Sequence, residues 1–228
     1  MASETQAIDT LNALLEERYS CRGFLAREVP KATIVSIIET AQKIPSWCNA
    51  QPWQLDICSG DAADKMRGVL TEAASNHSHT PDFTFPDTYE NEYKDRRRAC
   101  GFQLYDAVGI KKGDRAASAN QMMLNFRFFD APHVAFVTTQ AELGTYGAVD
   151  CGAFVTAFTL AAEALGVQSI PQAAVASYPT QIREALGLPQ DRLVVCAISF
   201  GYEDPVHPAN GFRTDRASVK DVARFHTS

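Results

Sequence analysis

Several familiar motifs are missing from this chain of 228 residues. No G-x-G-x-x-G run occurs, which excludes the glycine turn that cradles a dinucleotide pyrophosphate in a Rossmann sheet. Walker A, H-E-x-x-H and G-x-S-x-G are absent too, removing P-loop phosphoryl transfer, zincin hydrolysis and the α/β-hydrolase elbow. The six cysteines (Cys21, Cys48, Cys58, Cys100, Cys151, Cys196) include no C-x-x-C pair. A chain of this size can build its own core, so free thiols in a reducing cytoplasm are expected rather than a disulfide frame. His77 and His79 form an H-x-H pair with no His or Cys at ligand spacing, and no metal site is expected there.

A surplus of positive charge is also lacking. Lys and Arg number 21 against 27 acids, giving a net charge of −6, so a nucleic-acid partner is not expected. Any anion site must be assembled locally from a few arginines. Met1 to Thr10 carries two acids and no apolar leader core. The most apolar long stretch, Cys151 to Val167, is interrupted by Thr156, Thr159 and Glu163, and reads as too short and too polar to span a bilayer.

What is present is helical and strand patterning without repeats or linkers, consistent with a single domain over 1–228. Ile8, Leu11 and Leu15 form a helical stripe; Ile34, Ile37, Ile38, Ala41 and Ile44 form another between Pro30 and Pro45. Trp53, Leu55 and Ile57 alternate as in a half-buried strand, and Ala62 to Ser75 is an amphipathic helix. Residues 76–98 break every pattern, yet hold Phe83, Phe85, Tyr89, Tyr93 and the run Arg96-Arg97-Arg98; this aromatic excursion is expected to form a lid. Helical character returns over Ala116 to Phe129, followed by a strand over His133 to Thr139. Asp150 to Leu165 is apolar nearly all round, hence a buried or interface helix. Thr180 is expected to cap a short helix ending at Gly187. Leu193 to Phe200 reads as a central strand, and Ser218 to Phe225 as a last helix. Helices outnumber strands about two to one without regular alternation, which points to the α+β class.

Three clusters carry chemistry. Arg18-Tyr19-Ser20-Cys21-Arg22 sets two arginines four apart around a hydroxyl, a group able to hold a phosphate by charge-assisted bonds. It equally suits solvated arginines complementing a helix end. Pro45-Ser46-Trp47-Cys48-Asn49-Ala50-Gln51-Pro52-Trp53 packs polar side chains and both tryptophans between two prolines, either as a site or as a rigid turn with core anchors. Asn210-Gly211-Phe212-Arg213-Thr214-Asp215-Arg216 presents two more arginines, or is simply a surface loop.

Taken in order, these clusters resemble the FMN-dependent nitroreductase family over about residues 8–226. The elements are Arg18-Tyr19-Ser20-Cys21-Arg22 where the family has R-[RH]-S-x-[RK], the run P-S-x-x-N-x-Q-P-W, the segment Leu165-Gly166-Val167-Gln168-Ser169-Ile170-Pro171, Gly201-Tyr202 and the arginines at 213–216. The wording S-W-C-N-A-Q-P-W and H-P-A-N-G-F-R-T-x-R is similar to an actinobacterial or proteobacterial branch that reduces bulky nitroaromatics. The resemblance implies a mostly antiparallel central sheet flanked by helices in an intertwined homodimer, with a tightly bound FMN at each interface and NAD(P)H as electron donor.

By position, Arg18, Ser20 and Arg22 would contact the FMN phosphate and ribityl chain, with Tyr19 adding main-chain contact and Arg216 and Arg213 completing the clamp. Asn125 would meet the pyrimidine edge. Pro45, Ser46, Trp47 and Asn49 would reach the flavin of the other subunit, and Pro171-Gln172-Ala173-Ala174 would lie beside the ring. Trp47, Phe83, Tyr89, Tyr93 and Arg97 would shape the pocket for a small aromatic acceptor. Two departures stand out. The acid common after the Pro171 position is missing, and the lysine expected three residues after Asn125 is Phe128, with Arg127 the candidate for the lost charge. The implied reaction is two-electron ping-pong reduction of nitroaromatics with no side-chain nucleophile. The residues leave open quinones, enones or halogenated aromatics as acceptors, and a flavin-binding protein without turnover.

Overall fold

The structure is a computed structural model and describes residues 4–227; Met1 to Ser3 of the amino-terminal segment lie outside them. Its centre is one four-stranded sheet in the order β1-β2-β4-β3, with β1 (Gln54–Ser59), β2 (His133–Gln140), β3 (Gln168–Gln172) and β4 (Arg192–Gly201). Every neighbouring pair is antiparallel, and one isolated parallel bridge joins Ser20 to Ser169 at the β3 edge. Among the described residues eight α-helices accompany four strands, in keeping with the expected α+β class.

The twofold period of a strand distributes β2 between two cores. Ala135 and Val137 face a cluster with Ile34, Ile37, Phe154 and Phe158, from helices α2 (Lys31–Ala41) and α6 (Gly144–Ala164). Val134 and Phe136 face Met66, Leu70 and Ile182, from α3 (Asp61–Asn76) and α7 (Pro179–Leu186). In β4 a register shift opposite Val137 and Thr138 inserts Val195 as an extra residue. It flips the alternation, so Val194 enters the second cluster and Cys196 the first. Covered on both faces, β2 reads as an unbroken β-branched and aromatic run in the sequence.

Several boundaries differ from expectation. Residues 76–98 are not one irregular excursion: α3 continues to Asn76 and α4 (Asn91–Ala107) begins at Asn91. None of the α4 residues is buried, so no apolar stripe marked it. The loop between is pinned in its first half. Thr80 N–H donates to the Ser177 carbonyl at 3.0 Å, Asp82 pairs with Arg183 at 2.6 Å, and Phe85 packs on the second core. Helix α5 (Arg115–Met123) stops six residues short of Phe129, because Phe128 and Phe129 take positive φ and turn into the core. In α7 the first helical residue is Pro179, with Tyr178 rather than Thr180 at the cap.

Helix α6 starts at Gly144, ahead of the expected Asp150, and by length and composition alone it could cross a membrane. Its Cys151, Phe154, Phe158 and Ala162 are instead fully buried against the sheet. By contrast, the stripe of α1 (Glu4–Glu17) forms as expected but stays open, with Ile8, Leu11 and Leu15 44–50% exposed.

Candidate functional site

The first and third arginine clusters converge. A cleft of about 320 Å³ is lined by Arg18, Tyr19, Ser20 and Arg22 from one end of the chain and by Phe212, Arg213, Thr214 and Arg216 from the other, with Cys100 of α4 at its wall. Two attachments bring the segments together. The Cys21 N–H donates to the Ser169 carbonyl at 3.3 Å, tying the first cluster to the edge of β3; Phe24 bridges Glu203 just beyond β4. Arg213 then stacks on Tyr19, its guanidinium 3.7 Å from the ring centroid. The Tyr19 hydroxyl donates to Glu203, and burial together with that bond pushes the phenol pKa up.

The electrostatics of this cleft are unbalanced. Among the described residues no carboxylate lies within ion-pair distance of Arg18, Arg213 or Arg216. The Arg18 guanidinium is pulled below its ordinary pKa by burial and then by the charge of Arg216, with Glu163 opposing. Glu163 is itself raised, by burial first and then by Glu17 and Glu203. Arg213 and Arg216 hydrogen-bond only to nearby chain groups, Arg213 to the carbonyls of Asn210 and Phe212, Arg216 to Thr214 and Asp215. Arg18, Arg22, Arg213 and Arg216 line the cleft together with Glu16, and Glu163 acts on Arg18, so positive charge predominates there and suits an anion.

A second group lies along β3. Gln172, almost fully buried, donates to the Asn125 carbonyl at 2.9 Å and accepts from Ser199. Asn125 and Gln172 are thus in contact, and the Gln172 amide is occupied by the protein. Pro171 and Ala173 on either side of it are exposed. The Arg22 guanidinium sits 5.9 Å from the ring centroids of both Phe129 and Phe212. Arg127 does not join this group: it pairs with Asp130 at 2.9 Å and lines a separate groove with Glu28 and Arg67. Phe128 is wholly buried against Phe136 and faces no site.

The Pro45–Trp53 loop lies elsewhere. Trp53 is a core anchor stacked on Phe154, whereas Trp47 is 60% exposed and packs on Tyr146 at 4.6 Å. The Trp47 N–H donates to Asp150 at 3.0 Å, and the Ser46 hydroxyl accepts from the Gln51 N–H at 2.9 Å. Cys48, Asn49 and Gln51 all take positive φ, and Asn49 is exposed. Tyr146 and Asp150 belong to the start of α6, and Glu163, beside Arg18, to its end. Thirteen residues of helix separate Asp150 from Glu163, about 20 Å at 1.5 Å per residue. Within one chain, therefore, this loop cannot reach the arginine cleft. Of the acceptor-pocket residues, only Tyr89 and Arg97 meet, at 5.2 Å; Phe83 is half-buried and Tyr93 exposed, and none lines the cleft.

Comparison with known proteins fits this arrangement. The Nitroreductase family profile matches residues 15–202. This chain belongs to the nitroreductase family. It is 32% identical to the nitroreductase NfnB of Mycolicibacterium smegmatis, covering 93% of this chain and 91% of that protein. It is 30% identical to a 4-nitrobenzoate reductase of Pseudomonas putida, over 95% and 96% of the two chains. The crystal structure of the FMN-dependent NfnB from Mycobacterium smegmatis in complex with NADPH superposes with a TM-score of 0.92 at 31% identity, covering 97% of this chain and all of that one. The actinobacterial and proteobacterial branch suggested by the loop motifs is thus the one the nitroreductase relatives come from.

Proposed function

We propose that this nitroreductase-family chain is an FMN-dependent NAD(P)H oxidoreductase that reduces nitroaromatic compounds, working as a cytoplasmic homodimer. The observation that carries the reading is the convergence of Arg18, Arg213 and Arg216 with, among the described residues, no carboxylate at ion-pair distance. The cleft fits the cofactor phosphate in charge, and Ser20 adds a hydroxyl donor. Arg18, Ser20, Arg22, Arg213 and Arg216 hold the phosphate and ribityl chain, and Tyr19 keeps Arg213 in place. Pro171 to Ala174 supply a flat ledge for the ring, with the Gln172 side chain fixing that ledge from behind.

When bound, FMN supplies the hydride chemistry between donor and acceptor. The residues of the chain bind, orient and exclude. Donor and acceptor use one slot in turn, so a separate dinucleotide motif is unnecessary. Homologous proteins described as NADPH-dependent nitroreductases and nitrobenzoate reductases support the same donor and acceptor class here.

The dimer reading rests on exposed apolar surface. Ile8, Leu11 and Leu15 on α1, Tyr146 and Val149 on α6, and Val219, Val222 and Phe225 near the carboxyl end are open in the single chain. Pairing would cover them and bring Pro45, Ser46, Trp47 and Asn49 of one chain to the cofactor of the other. Phe83, Tyr89, Tyr93 and Arg97 then border the acceptor slot.

The test is an absorbance spectrum. The purified protein should be yellow, lose its visible flavin band on anaerobic NADPH, and regain it on adding a nitrobenzoate. Parallel double-reciprocal lines are expected in the steady state, and a dimer on gel filtration. A colourless protein that FMN cannot reconstitute would end the proposal, whereas a yellow protein inert to both nicotinamides would make it a flavin binder without turnover.

A further inference from the structure

Asn210 opens the third cluster but is not itself turned toward the cleft. It is 7% exposed, and its side-chain amide is fully engaged. Its Oδ1 accepts from the Arg22 N–H at 2.9 Å; its Nδ2 donates to the Gly23 carbonyl at 2.9 Å and to the Asp204 carbonyl at 3.0 Å. Its own carbonyl accepts from Arg213 Nη1 at 2.8 Å. One residue is therefore bonded to both halves of the arginine cleft, which come from opposite ends of the sequence. The joint is close-packed as well: a Cβ on Gly23 would stand 2.2 Å from Cγ of His207, so only glycine lets the two segments approach.

We infer that Asn210 is the positioning residue of the phosphate clamp, fixing the separation and aim of the Arg22 and Arg213 segments without touching the ligand. The inference rests on the FMN reading above. Its physical basis is pre-organisation. Arginine side chains lose considerable freedom when held, and charge-assisted bonds to a phosphate demand alignment, so a rigid joint between the segments raises affinity for the phosphate specifically. The flavin ring, contacted at β3, gains little from it.

The experiment compares FMN with riboflavin, which shares the ring but lacks the phosphate, on the apoprotein. Dissociation constants are measured for wild type, Asn210→Ala and Asn210→Asp; the last keeps an acceptor for Arg22 but sets an oxygen against the Gly23 and Asp204 carbonyls. Both variants should reduce the preference for FMN over riboflavin by about tenfold, with riboflavin affinity within about twofold of wild type. Equal weakening of both ligands, or none of either, would overturn the inference. So would loss of the folded state in both variants by circular dichroism, which would assign Asn210 to the fold alone. A wild-type protein that binds flavin without preferring FMN would instead remove the phosphate reading itself.

Discussion

Two sets of arginines in this molecule have opposite fates. Arg183 and Arg192 are buried at one end of β4. Arg183 bonds Asp82 and the Arg192 carbonyl, and Arg192 bonds the carbonyl and hydroxyl of Thr138. Their buried Nε atoms lack partners. Arg18, Arg213 and Arg216, beyond the other end of that strand, have no carboxylate partner among the described residues and lie beside one another. The first set uses its charge to close a loop and cap the sheet. The second is held together against its own repulsion by the surrounding chain, an arrangement that becomes favourable when an anion arrives. Burial with a partner marks structure; convergence without one marks binding.

Arg183→Ala should cost about 3–5 kcal/mol, read from urea denaturation, because it strands the Asp82 carboxylate in a buried position. A loss below about 1 kcal/mol would mean the pair is structurally idle and the contrast false. Arg216→Ala should leave apoprotein stability within about 0.5 kcal/mol while weakening FMN binding by roughly 1.5–3 kcal/mol, measured by fluorescence titration. An unchanged cofactor affinity would break the binding half of the comparison.

His133 sharpens the structural half. Its Nε2 accepts from the Val29 N–H at 2.8 Å and its Nδ1 meets the Ser59 hydroxyl at 2.6 Å, so the ring is built in neutral. Burial lowers its pKa, with Glu28 opposing. The unfolded chain then takes up the proton more readily, so this contribution is complete above about pH 6.5 and is lost as pH falls below it. Comparison with His133→Asn isolates the effect from Asp56 and Glu163, whose raised pKa values act in the other direction. Identical pH profiles would show that the imidazole is free to charge. The smallest effect is expected of Trp47→Ala, within about 0.5 kcal/mol on the stability of the unpaired chain. Trp53→Ala at the other end of the same loop should cost about 3–5 kcal/mol. Similar losses from both would mean that Trp47 is a core anchor too.

Much of the fold was legible. Helix α2 follows from Ile34, Ile37, Ile38 and Ala41, and β2 and β4 from apolar runs that alternate between two cores. Helix α4 was not, because a helix with no buried residue carries no period to detect, and Arg96-Arg97-Arg98 looked like an interruption. The site was half legible: residue types and order pointed to an anion and a flavin, but Trp47 and Trp53 looked alike, and Phe128 was weighed against a lysine although its backbone turns it inward.

The sequence by itself determined the local elements, the shortage of positive charge and the identity of every arginine at issue, because these depend on residue type and short-range spacing. Tertiary structure decided which arginines are neutralised and which converge, and that the Trp47 loop lies a helix length from the cleft. Those outcomes depend on distances between residues remote in the chain, which sequence spacing does not encode.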